Sequence, residues 1–327
     1  MKSEKMPLDY LAASGVVRMR ENQLVNAERR ARIEAAKTPG EVYRILQECG
    51  YDISEVRVNQ TGAEGMRIFS ALISRAREEL YRFADSVAET HAIADFFRVK
   101  IDCHNIKVIL KGKALQKEDN TLLLNGGTLA KDVIVRMLSA ASNEKLPGCF
   151  ADAATEARQI LERSMDGQRA DFVLDRAMLD EQARLAAESG VECLCSYAKR
   201  LADSANLRTC VRLLRAAVEP ASLAPALSGQ GSVEVPKLIH ALEIDAFLDP
   251  YKGTAFEQAA QIGADVLQGK ATTAALETVC EAAETQLFAD SKYLTAGPEL
   301  LIQYIVRREQ EFKTLRIFMA KKMRAFA

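Results

Sequence analysis

An Asp-x-x-Asn-aliphatic-base pattern inside a long helical stretch constrains this chain more than any other feature, because it recurs. It stands first in Phe96–Lys113 (FFRVKIDCHNIKVILKGK) as Asp102, Asn105, Ile106 and Lys107, with neither Pro nor Gly between Gly65 and Gly112. Uninterrupted by either breaker, that stretch reads as helix. The pattern returns at Asp203, Asn206, Leu207 and Arg208, and in reduced form at Glu311, Thr314, Leu315 and Arg316. Asn105, Asn206 and Thr314 therefore fall at near-equal intervals, each close to a third of the chain. Such wide, near-even spacing predicts an internal duplication in three segments.

Two further markers keep the same phase. Gly15-Val16-Val17, Gly126-Gly127-Thr128-Leu129 and Gly231-Ser232-Val233 each open a helical run. Thr38-Pro39-Gly40-Glu41 follows Gly15 at the same interval at which Thr254-Ala255-Phe256-Glu257 follows Gly231. Both read as capping boxes, in which a hydroxyl and a carboxylate take the free N–H groups at a helix start. In the middle segment Phe150 occupies that place and Asp152 is the nearest cap, while Ser189-Gly190-Val191-Glu192 reads as a box opening the second signature helix. Each segment therefore opens near a glycine loop and closes on a signature helix. The expected domains are 1–114, 115–220 and 221–327.

The rest of the chain agrees with an all-α fold. Apolar positions recur at three and four residues, as in Ile68, Leu72, Ile73, Ala76, Leu80, Phe83 and Val87, and most of the glycines and prolines fall between such runs. With 327 residues, 48% of them hydrophobic, the chain has the apolar content for several packed cores. The connections are short, so neighbouring segments are expected to pack together.

Several function classes are disfavoured. Lys and Arg number 44 against 45 Asp and Glu, so no global field draws the chain to nucleic acid. Seven cysteines without framework spacing suit a reducing compartment, and the expected location is cytoplasmic. MKSEKMPLDYLAASG lacks the apolar core of a secretion signal, and no later stretch approaches the roughly 18 to 20 apolar residues of a membrane span. The richest, Leu300–Val306, runs straight into Arg307 and Arg308. None of His91, His104 or His240 follows a Glu by three residues, and Cys193-x-Cys195 is too tight for a zinc pair. Gly269-Lys270 lacks both flanks of a phosphate loop, with Ala264 and Ala271 in the required places. No catalytic, cofactor-binding or metal-ligating residue is therefore expected.

On a helix, Asp102 and Asn105 share one side with Ile106 and Ile109 flanking, while Lys107 and Lys111 project roughly opposite; Asp203, Asn206, Arg208 and Arg212 repeat this. The third copy departs, with Thr314 for Asn and Ala320 where the second base would stand. Asp102, Asn105, Asp203, Asn206, Glu311 and Thr314 read as structural groups that satisfy buried hydrogen bonds. Two readings stay open for Lys107, Lys111, Arg208, Arg212 and Arg316: a solvated face, or a positive surface for an acidic partner.

Three helical segments ending in Asp/Glu-x-x-Asn-aliphatic-base, Leu174-Asp175-Arg176 in the middle one, a final Glu311-x-x-x-x-Arg316 helix, and the opening Tyr10-Leu-Ala-Ala-Ser-Gly15-Val-Val-Arg18-x-Arg20-Glu21-x-x-Leu24 resemble a known family. It is the C subunit of the bacterial and archaeal V/A-type ATPase, related to the d subunit of the eukaryotic vacuolar enzyme. The resemblance covers nearly the whole chain, with Thr314 and the weak middle cap as departures. It implies a funnel of three helical bundles around a pseudo-threefold axis with a central cavity, present in one copy within a hetero-oligomeric complex. It further implies a non-catalytic rotor socket, peripheral on the cytoplasmic face of the membrane. Its partners would be shaft subunits D and F and the membrane proteolipid ring, linking ATP hydrolysis or synthesis to H+ or Na+ translocation. The rival reading is a generic helical-repeat adaptor, which predicts repeats of roughly 34 to 47 residues. A period close to a third of the chain, more than twice that length, stands against it.

Overall fold

A computed structural model describes residues 9–139, 142, 144–220 and 223–325; the opening MKSEKMPL and the first two residues of the expected third domain, 221 and 222, lie outside them. Among the described residues the chain forms thirteen α-helices and short 3-10 turns, with no strand. In order these are α1 (Asp9–Glu21), α2 (Ala27–Ala35), α3 (Pro39–Glu48), α4 (Gly62–Val87), α5 (Ala92–Ala114), α6 (Lys131–Met137), α7 (Phe150–Ser164), α8 (Gly167–Ser189), α9 (Glu192–Arg215), α10 (Val235–Glu243), α11 (Glu257–Leu267), α12 (Thr273–Thr285) and α13 (Pro298–Ala325). The all-α expectation holds.

Burial follows the sequence pattern. In α4 the buried positions Phe69, Leu72, Ile73, Ala76, Leu80 and Phe83 form one stripe at helical spacing. The signature helices differ, since α5 buries Ile93, Phe96, Phe97, Val99, Ile101, Ile106 and Ile109 around most of its circumference. A helix apolar on most sides must be central. The stretch between Gly65 and Gly112 is two helices, however, because Ala88 turns out of α4 into an extended conformation and α5 starts at Ala92. Neither Gly nor Pro marks that break.

Local capping departs from expectation at Gly15, Thr254, Ser189 and Asp152. Gly15 lies inside α1 instead of opening a helix. Thr38 does cap α3, accepting from Glu41 N at 3.3 Å while Glu41 Oε2 takes Lys37 N at 2.8 Å. Thr254 and Ser189 instead brace turns: their hydroxyls take the N–H of Phe256 and Val191, and the helices beginning at Glu257 and Glu192 have no side-chain cap bond. Asp152 lies within the first turn of α7, whose flanking Cys149 N–H goes to Glu181 Oε2 at 3.2 Å.

The helices gather into two compact units: residues up to Thr90 with those from Ser291 onward, and His91–Asp290. In the first, α13 packs on α4 and α1, and α2 packs on α3. The α4 and α13 helices run antiparallel, with Gly65 against Met323, Arg77 paired to Glu309, and Phe83 edge-on to Tyr304 at 6.0 Å between ring centroids. In the second, α5 packs on α6, α7 and α8, while α9 packs on α8, α11 and α12. Leu207, Cys210, Val211, Tyr251, Phe256 and Cys280 sit in the core around α9.

Candidate functional site

The signature acids and amides are buried and hold backbone. In α5, Asn105 Nδ2 donates to Leu124 O at 2.9 Å, and Leu124 N donates to Asn105 Oδ1 at 2.8 Å. One turn earlier, Asp102 Oδ2 accepts from Thr128 N at 3.0 Å and Thr128 Oγ1 at 2.5 Å, while Oδ1 accepts from Leu129 N at 3.3 Å. The pair thereby pins the loop that leads into α6. Burial raises the Asp102 pKa despite those donors, so desolvation is the larger influence on this carboxylate.

The same bonds recur in α9. Asn206 Nδ2 donates to Ser228 O and Oδ1 accepts from Ser228 N, both at 2.8 Å. Asp203 accepts from Ser232 Oγ at 2.5 Å and from Val233 N at 3.2 Å. Each two-point amide contact satisfies a main-chain donor and acceptor that would otherwise be lost from water. The acid in each pair fixes the residue two before a helix start, at Lys131 and Val235.

Glycine is required beside each acid. A Cβ on Gly127 would collide with Asp102 Oδ1, and one on Gly231 with Asp203 Oδ1. Neither glycine has φ in the left-handed region, so the requirement comes from close approach and not from backbone conformation.

In α13 the acid keeps its role but its surroundings differ. Glu311 Oε2 accepts from Val25 N at 2.6 Å, and Oε1 accepts from Tyr51 Oη at 2.6 Å and Arg308 Nη1 at 2.5 Å. Val25, Leu129 and Val233 stand at equal intervals along the chain, so the third acid holds a loop at the same spacing as the loops held by the first two. Gln23 stands where the glycines stand in the other loops. Thr314 does not replace Asn, since it is exposed and bonds Gln310 O of its own helix at 2.9 Å. Arg308 is 8% exposed and lies 4.3 Å from the Tyr51 ring centroid, and Tyr51 and Glu311 outweigh burial to raise its pKa.

Of the two readings left open for the bases, a freely solvated face does not describe Lys107, Lys111 or Arg208, which are engaged within the chain. Lys107 Nζ reaches Asp175 Oδ1 at 2.6 Å and Lys111 Nζ reaches Asp171 Oδ2 at 2.7 Å, both acids on α8. Arg208 lies between Glu277 at 3.1 Å and Glu284 at 3.0 Å on α12. Burial opposes the Lys107 and Arg208 charges, yet the groups around each outweigh it and raise both pKa values. Arg212 is exposed and stacks over Phe172 at 4.9 Å. Arg316 is half-buried, and Glu309, the acid that acts on it, is paired with Arg77.

Two features had no sequence signal of their own. One is the acid partners on α8 and α12, of which only Asp175 belonged to a noted motif. The other is an open cleft of about 630 Å3 bounded by α8, α9 and α12, along which Arg176, Arg208, Arg212 and Arg215 lie with Asp175 and Glu277. Such a wall can receive carboxylate or phosphate groups. Among the described residues no group of three His, Cys, Asp or Glu is placed to hold a metal ion, and no helix is long and apolar enough to cross a membrane.

A family model for the ATP synthase (C/AC39) subunit matches residues 13–322. The chain is also similar to the C subunit of the V-type sodium ATPase of Enterococcus hirae, 21% identical over 261 residues, which covers 79% of each chain.

Proposed function

The chain belongs to the ATP synthase (C/AC39) subunit family, and on that premise we propose that it is the non-catalytic rotor socket of a V/A-type ATPase. In this reading it joins shaft subunits D and F to the membrane proteolipid ring, so that ATP hydrolysis or synthesis is linked to H+ or Na+ translocation. The observation that carries the proposal is the family match across residues 13–322.

The signature clamps give the role its physical sense. A torque-bearing part must resist shear between helices, and a buried carboxylate or amide that bonds main chain at two points resists it better than apolar contact alone. The even spacing of Val25, Leu129 and Val233 supports three related segments, 1–114, 115–220 and 221–327, and in this reading they close around a pseudo-threefold axis with a central cavity. Such closure leaves no frayed repeat end.

Among the five candidate contact bases, Lys107, Lys111 and Arg208 already neutralise internal acids. Arg212, beside the arginine-lined cleft, and Arg316 are the ones with charge to offer a partner. Exposed ion pairs of this kind are individually weak and fall with salt. They suit a joint that assembles and releases.

Coupling provides the test. Membranes from cells lacking this chain are expected to keep ATP hydrolysis by the catalytic sector and to lose ATP-driven H+ or Na+ uptake, with recovery when the chain is returned. Uptake undiminished in its absence would contradict the proposal.

A further inference from the structure

The two units treat the signature base differently. In α5 and α9 the base after Asn meets acids on the helix packed against it: Lys107 with Asp175, and Arg208 with Glu277 and Glu284. In α13 the corresponding base is Arg316, packed against α4. The register fixed by Gly65 with Met323 and by Arg77 with Glu309 sets Arg316 opposite the Ser70–Ser74 turn of α4, which offers only serine, alanine and apolar side chains. Glu309, which acts on Arg316 from a distance, is already taken by Arg77 and Tyr81. Burial first, then the neighbouring Arg77, lowers the Arg316 pKa. A half-buried guanidinium in this position bears a desolvation cost that a nearby carboxylate would offset.

The surroundings point the same way. After Glu311, α13 carries Lys313, Arg316, Lys321, Lys322 and Arg324 and no acid. Lys322 is engaged with the carbonyls of Glu34 and Ala36. Lys313, Lys321 and Arg324 are exposed, as is Ile317 at 53%. The helix dipole accounts for bases in the last turn, Lys322 and Arg324, but not for Arg316 two turns earlier. On α4, Arg67 and Arg75 flank the serine turn and are paired with Glu64 and Glu55.

We infer that the α4–α13 face centred on Arg316 is a docking surface for an acidic segment of a partner protein, whose carboxylate fills the position that Asp175 and Glu284 fill internally elsewhere. An anionic membrane surface fits less well, because the face offers one exposed isoleucine and no apolar band to insert. The inference rests on the rotor reading for the existence of partner chains, and adds which surface meets one of them.

The test uses the complex purified through this chain from native membranes. Carbodiimide joins lysine amines to carboxylates within ion-pair reach, and it is expected to link Lys313 or Lys321 to an Asp or Glu of another chain. Ser70→Asp, which supplies Arg316 with an internal acid, and Arg316→Glu are each expected, as separate variants, to cut recovery of that partner about tenfold at moderate salt. Lys321→Glu, on the exposed side, reports the same loss should either variant fail to fold. A complex that retains ATPase subunits but gives no such link, with recovery unchanged in the variants, overturns this inference and leaves the rotor reading standing. Links to an acidic protein outside any rotary ATPase support the surface and overturn the rotor reading. No links, with Arg316-dependent binding of the purified chain to phosphatidylglycerol vesicles, assigns the face to lipid and overturns the inference.

Discussion

Alanine at Gly127 or at Gly231 is expected to cost about 2 to 4 kcal/mol of stability, whereas alanine at Gly15 is expected to add about 0.5 to 1 kcal/mol. The contrast follows from what a Cβ meets. At Gly127 and Gly231 it meets a carboxylate oxygen of Asp102 or Asp203, and at Gly15, inside α1, it meets nothing within 4 Å. Displacing either acid leaves its main-chain and hydroxyl donors in a protein interior without an acceptor, and each such loss costs more than an ordinary hydrogen bond contributes. Gly15→Ala instead removes backbone freedom from the unfolded chain at a helical position. Urea unfolding of the three variants, followed by far-ultraviolet circular dichroism, checks the signs and the order.

Glu311→Ala is expected to cost about 3 to 5 kcal/mol, because it strands Arg308, a nearly buried cation. The same change frees Val25 N and Tyr51 Oη, so the loop before α2 should lose protection from hydrogen exchange along with the α13 contact. Glu311→Gln keeps an acceptor for Val25 but not the charge, and should fall between Ala and wild type. Thr314→Ala, three residues on, is expected to stay within about 0.5 kcal/mol, since its hydroxyl bonds only its own helix. Replacing Arg308 by Leu in the Glu311→Ala background is expected to recover part of the loss by removing the stranded charge. Thermal melting across this set separates a charge-driven loss from a general intolerance of α13.

The helices behind both results were legible in the sequence, because a 3.6-residue apolar period is a local property. So was the importance of Asp102, Asn105, Asp203 and Asn206, which stand in phase within long apolar helices. Their partners were less so. Asn105 meets Leu124 across 19 residues, a reach that spacing rules do not cover, and Glu311 meets Val25 across 286. Gly127 and Gly231 were visible as loop markers, but their purpose lay in the volume beside a carboxylate. Gly15 looked alike in sequence and differs because the chain around it is already helical. The break at Ala88–His91 carries neither Gly nor Pro, the two strongest breakers that a sequence shows.

The bases show the same limit. Lys107 and Lys111 lie on the less apolar side of α5 as periodicity requires, but whether such a side meets water or acid depends on α8, which the chain reaches only after two further helices. That difference decides which cations remain for a partner.

The company this chain keeps decides whether it is a rotor part. Native mass spectrometry of complexes isolated from membranes in mild detergent, through a tag on this chain, measures it directly. The expected result is one copy of the chain with the two shaft subunits and the proteolipid ring; a rotary ATPase recovered intact without it, or the tagged chain bound only to assorted soluble proteins, would contradict the rotor role.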